Sequence, residues 1–159
     1  MKHKIDAIDR AIVSLLSKDG RMSCAEIARS IDGVSERTVR NRIDRLLEQK
    51  IIRVSAIVNP KALGYNIVAD IFIETEAGHV REVADVILGL DRVSYVGCST
   101  GDRDLSIQVY AVSVEDLYNF VTETLHNIPG VRRTNTSIVP IVLKDVYDWE
   151  IPHEVYETE

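Results

Sequence analysis

No stretch of this 159-residue chain approaches the roughly 18 consecutive apolar residues that a membrane-spanning helix requires. The start, MKHKIDAIDR, also lacks the apolar centre of a secretory signal, so a cytoplasmic protein is expected, with no membrane partner. Cysteine is scarce: Cys24 and Cys98 lie far apart, and neither has a second Cys or His at ligand spacing. That excludes a disulfide framework and a zinc site, and leaves two small thiols expected to be buried in a reducing compartment. Also missing are a Ser-His-Asp set, a Cys-His pair, a glycine-rich phosphate loop and any metal-ligand spacing, so neither catalysis nor a bound cofactor or metal is expected. Positive charge is in short supply overall, with a net charge of −6.

The shortage is not uniform. Residues 1–60 hold 12 Lys and Arg against 8 Asp and Glu, a surplus of +4, while residues 61–159 hold 7 against 17, a deficit of −10. A basic front and an acidic back point to two domains with different partners, and only the front suits phosphate.

Within that front, Ile5, Ile8, Ile12, Leu15 and Leu16 recur at helical spacing, predicting a first helix over residues 5–18 that stops at Asp19-Gly20. Ser23-Cys24-Ala25-Glu26 fits the capping box S-x-x-E, which opens a second helix over residues 24–31 with Ile27, Ala28 and Ile31 inward. Asp32-Gly33-Val34 makes a turn, Gly33 supplying a positive φ, and Ser35 caps a third helix. On that helix Val39, Ile43, Leu46 and Leu47 share one side, and Arg37, Asn41 and Arg45 form a stripe opposite. The DNA major groove accepts such a helix, because Arg can bridge guanine and Asn can bridge adenine. The expected arrangement is a helix-turn-helix, its motif over residues 24–43, within a winged-helix-like domain of residues 1–50. The bland alternative is a helical hairpin that only packs, and Glu36, Asp44 and Glu48 do dilute the positive field.

Residues 51–58 are dense in β-branched side chains and predict a strand, part of a linker over residues 51–64 that Asn59-Pro60 and Gly64 punctuate. From Tyr65 the pattern becomes β-α-β-β-α-β through residue 144: strands near 66–75, 93–99, 105–111 and 131–143, with helices carrying Val83 and Ile87 and then Leu117 and Val121. This order predicts a ferredoxin-like domain, an antiparallel sheet with both helices on one face, giving an α+β protein. The uncovered sheet face predicts a homodimer through the sheets. Residues 145–159 form an acidic tail with Tyr147, Trp149 and Tyr156, read equally well as docked or frayed.

Several segments together, IDAIDRAIVSLLSKDGRMSCAEIARSI, SERTVRNRIDRLLEQKIIR, NPKALGY, STGDRDLSIQVY and TETLHNIPGVRRTNTSIV, resemble the Lrp/AsnC family of transcriptional regulators in the right order over residues 4–144. The resemblance implies a sequence-specific regulator that binds double-stranded DNA, dimerises, commonly assembles as an octamer (a tetramer of dimers) and takes an amino-acid effector between subunits. It places Ser35, Arg37, Thr38 and Asn41 in the groove and Arg42 and Arg45 on phosphates. For Arg40 two roles stand level, DNA contact and an intramolecular ion pair. The effector site falls around Ser99, Thr100, Gly101, Asp102 and Asp104, completed by Thr134, Thr136 and Ser137. Carboxylates beside backbone N–H groups suit an ammonium and a carboxylate, although Gly101-Asp102 could equally turn a hairpin. Two rival functions are an architectural DNA-compacting protein with little promoter preference and a haem-biosynthesis decarboxylase of similar layout. The decarboxylase needs a basic, His-containing pocket, against which His3, His79, His126 and His153 are scattered.

Overall fold

The computed structural model describes residues 5–152, so His3, His153 and Tyr156 lie outside the described residues. The chain divides into two compact units, Val58–Val142 and a second formed by Met1–Ile57 with Leu143–Glu159.

The first part of the helical unit holds α1 (Ala7–Lys18), α2 (Cys24–Ser30) and α3 (Glu36–Glu48). Each start is fixed by a side chain that takes up otherwise unpaired backbone N–H groups. Asp6 caps α1 by accepting from the N–H groups of Ile8 and Asp9, and Asp9 accepts from the Asp6 N–H in return. Ser23 and Glu26 form the expected capping box of α2, and Ser35 caps α3 by accepting from Thr38 N–H at 3.1 Å. Gly33, at φ 72°, takes the left-handed conformation that the turn between α2 and α3 requires. Ile12, Ile27 and Val39 are fully buried where the three helices meet, with Ala28, Val34 and Ile43 packed around them.

Two expectations for this unit are corrected. Residues 51–58 form no ladder, since strand-forming side chains make a strand only where a neighbouring backbone pairs with them. For the same reason no wing forms: no strand lies among the described residues of this unit. The described part of the tail belongs to the helical unit, where Tyr147, Trp149 and Ile151 join Val13 and Leu16 of α1 and residues 51–57 around a cavity of about 500 Å3.

The other unit is the β-α-β-β-α-β layout in an antiparallel sheet of order β2-β3-β1-β4, with β1 (Ile67–Thr75), β2 (Val93–Cys98), β3 (Leu105–Ala111) and β4 (Val131–Ile138). Helix α4 (Val80–Leu88) follows β1, and α5 (Val114–Asn119) follows β3 and continues through irregular turns to Asn127. Strict alternation decides the faces: Ile71 and Ile73 of β1 and Leu105, Ile107 and Val109 of β3 are buried with Val83, Ile87, Leu117 and Leu125 of the helical layer. The intervening residues Asp70, Phe72, Glu74, Ser106, Gln108 and Tyr110 take the opposite face.

Here too there are corrections. β4 ends at Ile138 rather than 143: Val139 N–H still donates to Val68 O at 2.8 Å, but Pro140 has no N–H to continue. Cys98 is exposed, not buried, because it closes the edge strand β2, while Cys24 is half-buried. No helix among the described residues is long and apolar enough to cross a membrane.

Candidate nucleic-acid interface and effector pocket

The outward side of α3 is built from few residues. Arg37 and Asn41 are both exposed and stand one helical turn apart, so their side chains project from the same stripe. Ser35 spends its hydroxyl at the helix start, where it also shares a hydrogen bond of 2.8 Å with Thr38 Oγ1. The other three arginines of α3 are engaged. Arg40 donates to Glu36 at 3.0 Å across one turn, which is the ion-pair reading of that residue in the free chain. Arg42 donates to Asp9 at 3.0 Å and also to Asp6, and Arg45 donates to the other oxygen of Asp9.

Asp9 is the centre of this cluster. It is fully buried, and its carboxylate accepts from two guanidiniums and the Asp6 backbone, as a buried carboxylate must if it is to stay charged. Asp6 feels the same cluster: burial pushes its carboxyl up, but the Arg42 hydrogen bond and the N–H groups of Asp9 and Ile8 hold it below the ordinary aspartate value. Arg42 is raised in turn, chiefly by its bond to Asp6. Sequence reasoning missed Asp6 and Asp9. Their D-x-x-D spacing signals a cap, but nothing local signals arginines more than thirty residues away.

On the sheet, a cavity of about 200 Å3 is lined by Phe72, Glu74, Asp102, Arg103, Arg133, Thr134 and Asn135. Cross-strand register creates it: Phe72 lies opposite Asn135 and Glu74 opposite Arg133 on β1 and β4, so these side chains share the face not covered by helices. The Arg103 guanidinium stacks on the Phe72 ring, 4.2 Å from its centroid, and Glu74 is paired with Arg132. Asp102 and Arg133 are exposed and carry no ion pair among the described residues.

Of the expected effector residues, the cavity gathers Asp102 and Thr134, and leaves out Ser99, Thr100, Gly101, Asp104, Thr136 and Ser137. Asp104 is bound into the fold instead, where its carboxylate accepts from Thr75 N–H at 2.7 Å and from Thr75 Oγ1 at 3.0 Å, while its own N–H donates to Ile73 O at 3.0 Å. Thr134 and Thr136 stand opposite Ile73 and Ile71, hence toward the helical side, and the Thr134 hydroxyl meets His126 Nε2 at 2.8 Å. Ser137, opposite Asp70, takes the open face. Residues 99–101 are exposed, Gly101 at φ 138°. Phe72, Glu74, Arg133 and Asn135 were missed, since only strand register brings them together.

The comparisons with known proteins agree on both units. The AsnC-type helix-turn-helix domain matches residues 5–47, and the Lrp/AsnC ligand binding domain matches residues 68–147. An HTH-type transcriptional regulator of Pyrococcus abyssi is 43% identical over 144 residues, 90% of either chain. The regulator FL11 of Pyrococcus furiosus is 39% identical over 146 residues, 91% of this chain and 95% of that one. Among solved structures, AsnC of E. coli superposes with a TM-score of 0.83 at 28% identity, over 91% of this chain and 99% of that one. A transcriptional regulator of Neisseria meningitidis, solved as a complex with L-Met, superposes with a TM-score of 0.86 at 22% identity, over 95% and 99%, which shows the shared fold.

Proposed function

The chain belongs to the Lrp/AsnC family of DNA-binding transcriptional regulators, and from that premise we propose that it reads a specific operator through Arg37, Thr38 and Asn41 of α3 while a free amino acid, seated at the Phe72–Asn135 cavity, modulates it. It is a regulator and not an enzyme, as the family is.

One observation carries the DNA reading: Arg37 and Asn41, the residue types that bridge guanine and adenine, stand exposed on one stripe of α3 while its remaining arginines are paired with carboxylates. Ser35 serves as the cap beneath them and Arg40 joins them only by leaving Glu36. The effector reading rests on complementary chemistry. Asp102 offers an anion for the ammonium, Arg133 a cation for the carboxylate, and the Arg103–Phe72 stack a flat surface for a side chain. Thr100 and Gly101 share the loop that carries Asp102, and Ser137, on the open sheet face, would complete the site across the subunit boundary. The solved L-Met complex of a protein of the same fold is consistent with this.

A homodimer is proposed through the open sheet face, with four dimers forming an octamer. In the dimer two α3 helices would meet half-sites separated by whole turns of ~10 base pairs. The partner being cellular DNA, its place is the cytoplasm.

The test is selection from a randomised duplex library. Wild type should enrich a pseudo-palindrome, and Arg37→Ala with Asn41→Ala should abolish the enrichment. Binding without preference would instead favour the DNA-compacting role. A thermal-shift screen of the amino acids, repeated with Asp102→Ala, tests the effector: a shift that persists in the variant removes Asp102 from the site.

A further inference from the structure

Asp9 lies deeper than a helix cap needs to, and its position bears on specificity. It is fully buried at the start of α1, whereas the two arginines it holds, Arg42 and Arg45, come from α3 and remain partly exposed. Arg45 is drawn inward so far that its Nε is shielded from solvent with no hydrogen-bond acceptor among the described residues. A guanidinium left free beside a reading helix would bind phosphate wherever DNA offered one. Such contacts add affinity for every sequence alike, and each steepens the salt dependence by about 0.9 in the log–log slope. A guanidinium bonded to a buried carboxylate cannot do this without stranding that carboxylate in the interior.

We propose that Asp9 is a specificity-determining positioning residue: by binding Arg42 and Arg45 it withholds two cations from sequence-independent phosphate contact and fixes the roll of α3 that aims Arg37 and Asn41. The proposal rests on the reading of α3 as the DNA-binding helix. It also reassigns Arg42 and Arg45 from phosphate anchors to parts of a clamp. Asp6 supports the clamp from the rim, through its own bond to Arg42. Two bonds from α1 to neighbouring turns of α3 oppose both sliding and rolling of the helix, which one bond would not.

The experiment uses the full chain and two probes, a duplex carrying the sequence enriched from the random library and a scrambled duplex of equal composition. Affinities of wild type, Asp9→Asn and Arg42→Gln are measured by fluorescence anisotropy over a range of salt, after circular dichroism has confirmed the helices. Asp9→Asn should steepen the slope on the scrambled duplex by about 1–2 per protomer as the arginines are released, and should lower the ratio of enriched to scrambled affinity several-fold. Arg42→Gln should leave the slope unchanged and lower the ratio. A merely structural Asp9 would weaken binding without steepening the slope, and that result overturns the proposal. So does an Arg42→Gln slope shallower by about 0.9 per protomer with the ratio intact, which would make Arg42 a phosphate anchor. If Asp9→Asn fails to fold, Arg42→Gln decides alone. A wild type that enriches no sequence removes α3 as reader and the clamp with it, whereas enrichment retained in Asp9→Asn removes the clamp only.

Discussion

Asp102 and Asp104 stand two residues apart in one loop, yet the structure gives them separable roles. Removing the Asp104 side chain by Asp104→Ala takes away the acceptor of Thr75 N–H and of Thr75 Oγ1. The hydroxyl can turn elsewhere, but Thr75 is only 9% exposed, so its N–H loses its partner with little access to water. A buried donor left unpaired costs ~1–3 kcal/mol, and ~2 is reasonable where the acceptor was charged and the loop can partly relax. For a unit the size of Val58–Val142, each kcal/mol moves the midpoint by ~4–8 °C, so a fall of ~8–16 °C is expected. Asp104→Asn keeps an oxygen that can accept from Thr75 N–H and should fall between this variant and wild type. Asp102→Ala removes an exposed side chain that makes no bond among the described residues, so its cost should stay within ~0.5 kcal/mol. Differential scanning calorimetry of the four proteins reads the order directly, the relevant transition being the one that Ile71→Ala also lowers. Should Asp104→Ala melt with wild type, or Asp102→Ala melt below it, the division of labour assigned to the loop is wrong.

Truncating the fully buried Ile27 of the helical unit to Ala should cost ~2–5 kcal/mol by leaving a cavity between α1, α2 and α3, readable as a lowered urea midpoint at unchanged slope. Arg37→Ala should lose ~1–3 kcal/mol per half-site on the enriched duplex and relax preference at one base position, measurable by repeating the library selection with the variant. Asp6 is held below its ordinary value despite partial burial, because Arg42 and two backbone N–H groups favour the charged form, so its contribution to stability is present above the unfolded value of ~3.9 and disappears as pH falls through the lower folded value. Thermal melts from pH 5 to 2 should therefore show Asp6→Asn, which can still cap α1, less stable than wild type at the upper end and equal to it at the lower. Asp116, lowered chiefly by its 2.6 Å bond from Arg92 and also by Val112 N–H, should behave likewise in the other unit.

What could be read without coordinates was what is local. The caps at Ser23 and Ser35, the turn at Gly33 and the alternation of Leu105 to Ala111 depend on neighbours within a few residues, and all formed as expected. A strand is only half local. Residues 51–58 have the right side chains and no paired backbone, and the last strand stopped at the proline its own pattern contained. The effector cavity was half visible for the same reason: Asp102 lies in a recognisable loop, whereas Phe72, Arg133 and Asn135 meet only through the β1–β4 register. On α3 the helical wheel correctly sorted Arg37 and Asn41 from the apolar side, but it could not see that carboxylates more than thirty residues upstream had taken Arg42 and Arg45.

That last point alters how the charge asymmetry of the chain should be understood. The surplus of +4 in residues 1–60 reads at first as an electrostatic surface for DNA. Yet on α3 itself Glu36 takes Arg40, and Asp6 and Asp9 take Arg42 and Arg45, leaving Arg37 as the one arginine of that helix without an ion pair among the described residues. A single such helix has little sequence-independent attraction with which to hold DNA, so on the proposed reading a lone protomer binds weakly and discriminates well. Useful affinity then has to come from joining copies, since linking two readers raises the effective concentration of the second without any new contact. An effector that changed only how the Val58–Val142 units associate would therefore control DNA binding without touching α3. Avidity has a measurable signature here: a half-site duplex should bind far more weakly than the full operator, by more than the twofold loss in site number explains. Arg37→Ala should weaken binding to the half-site by one base contact and to the full operator by two. Equal losses on both would mean that only one helix reads the operator and that assembly serves another purpose.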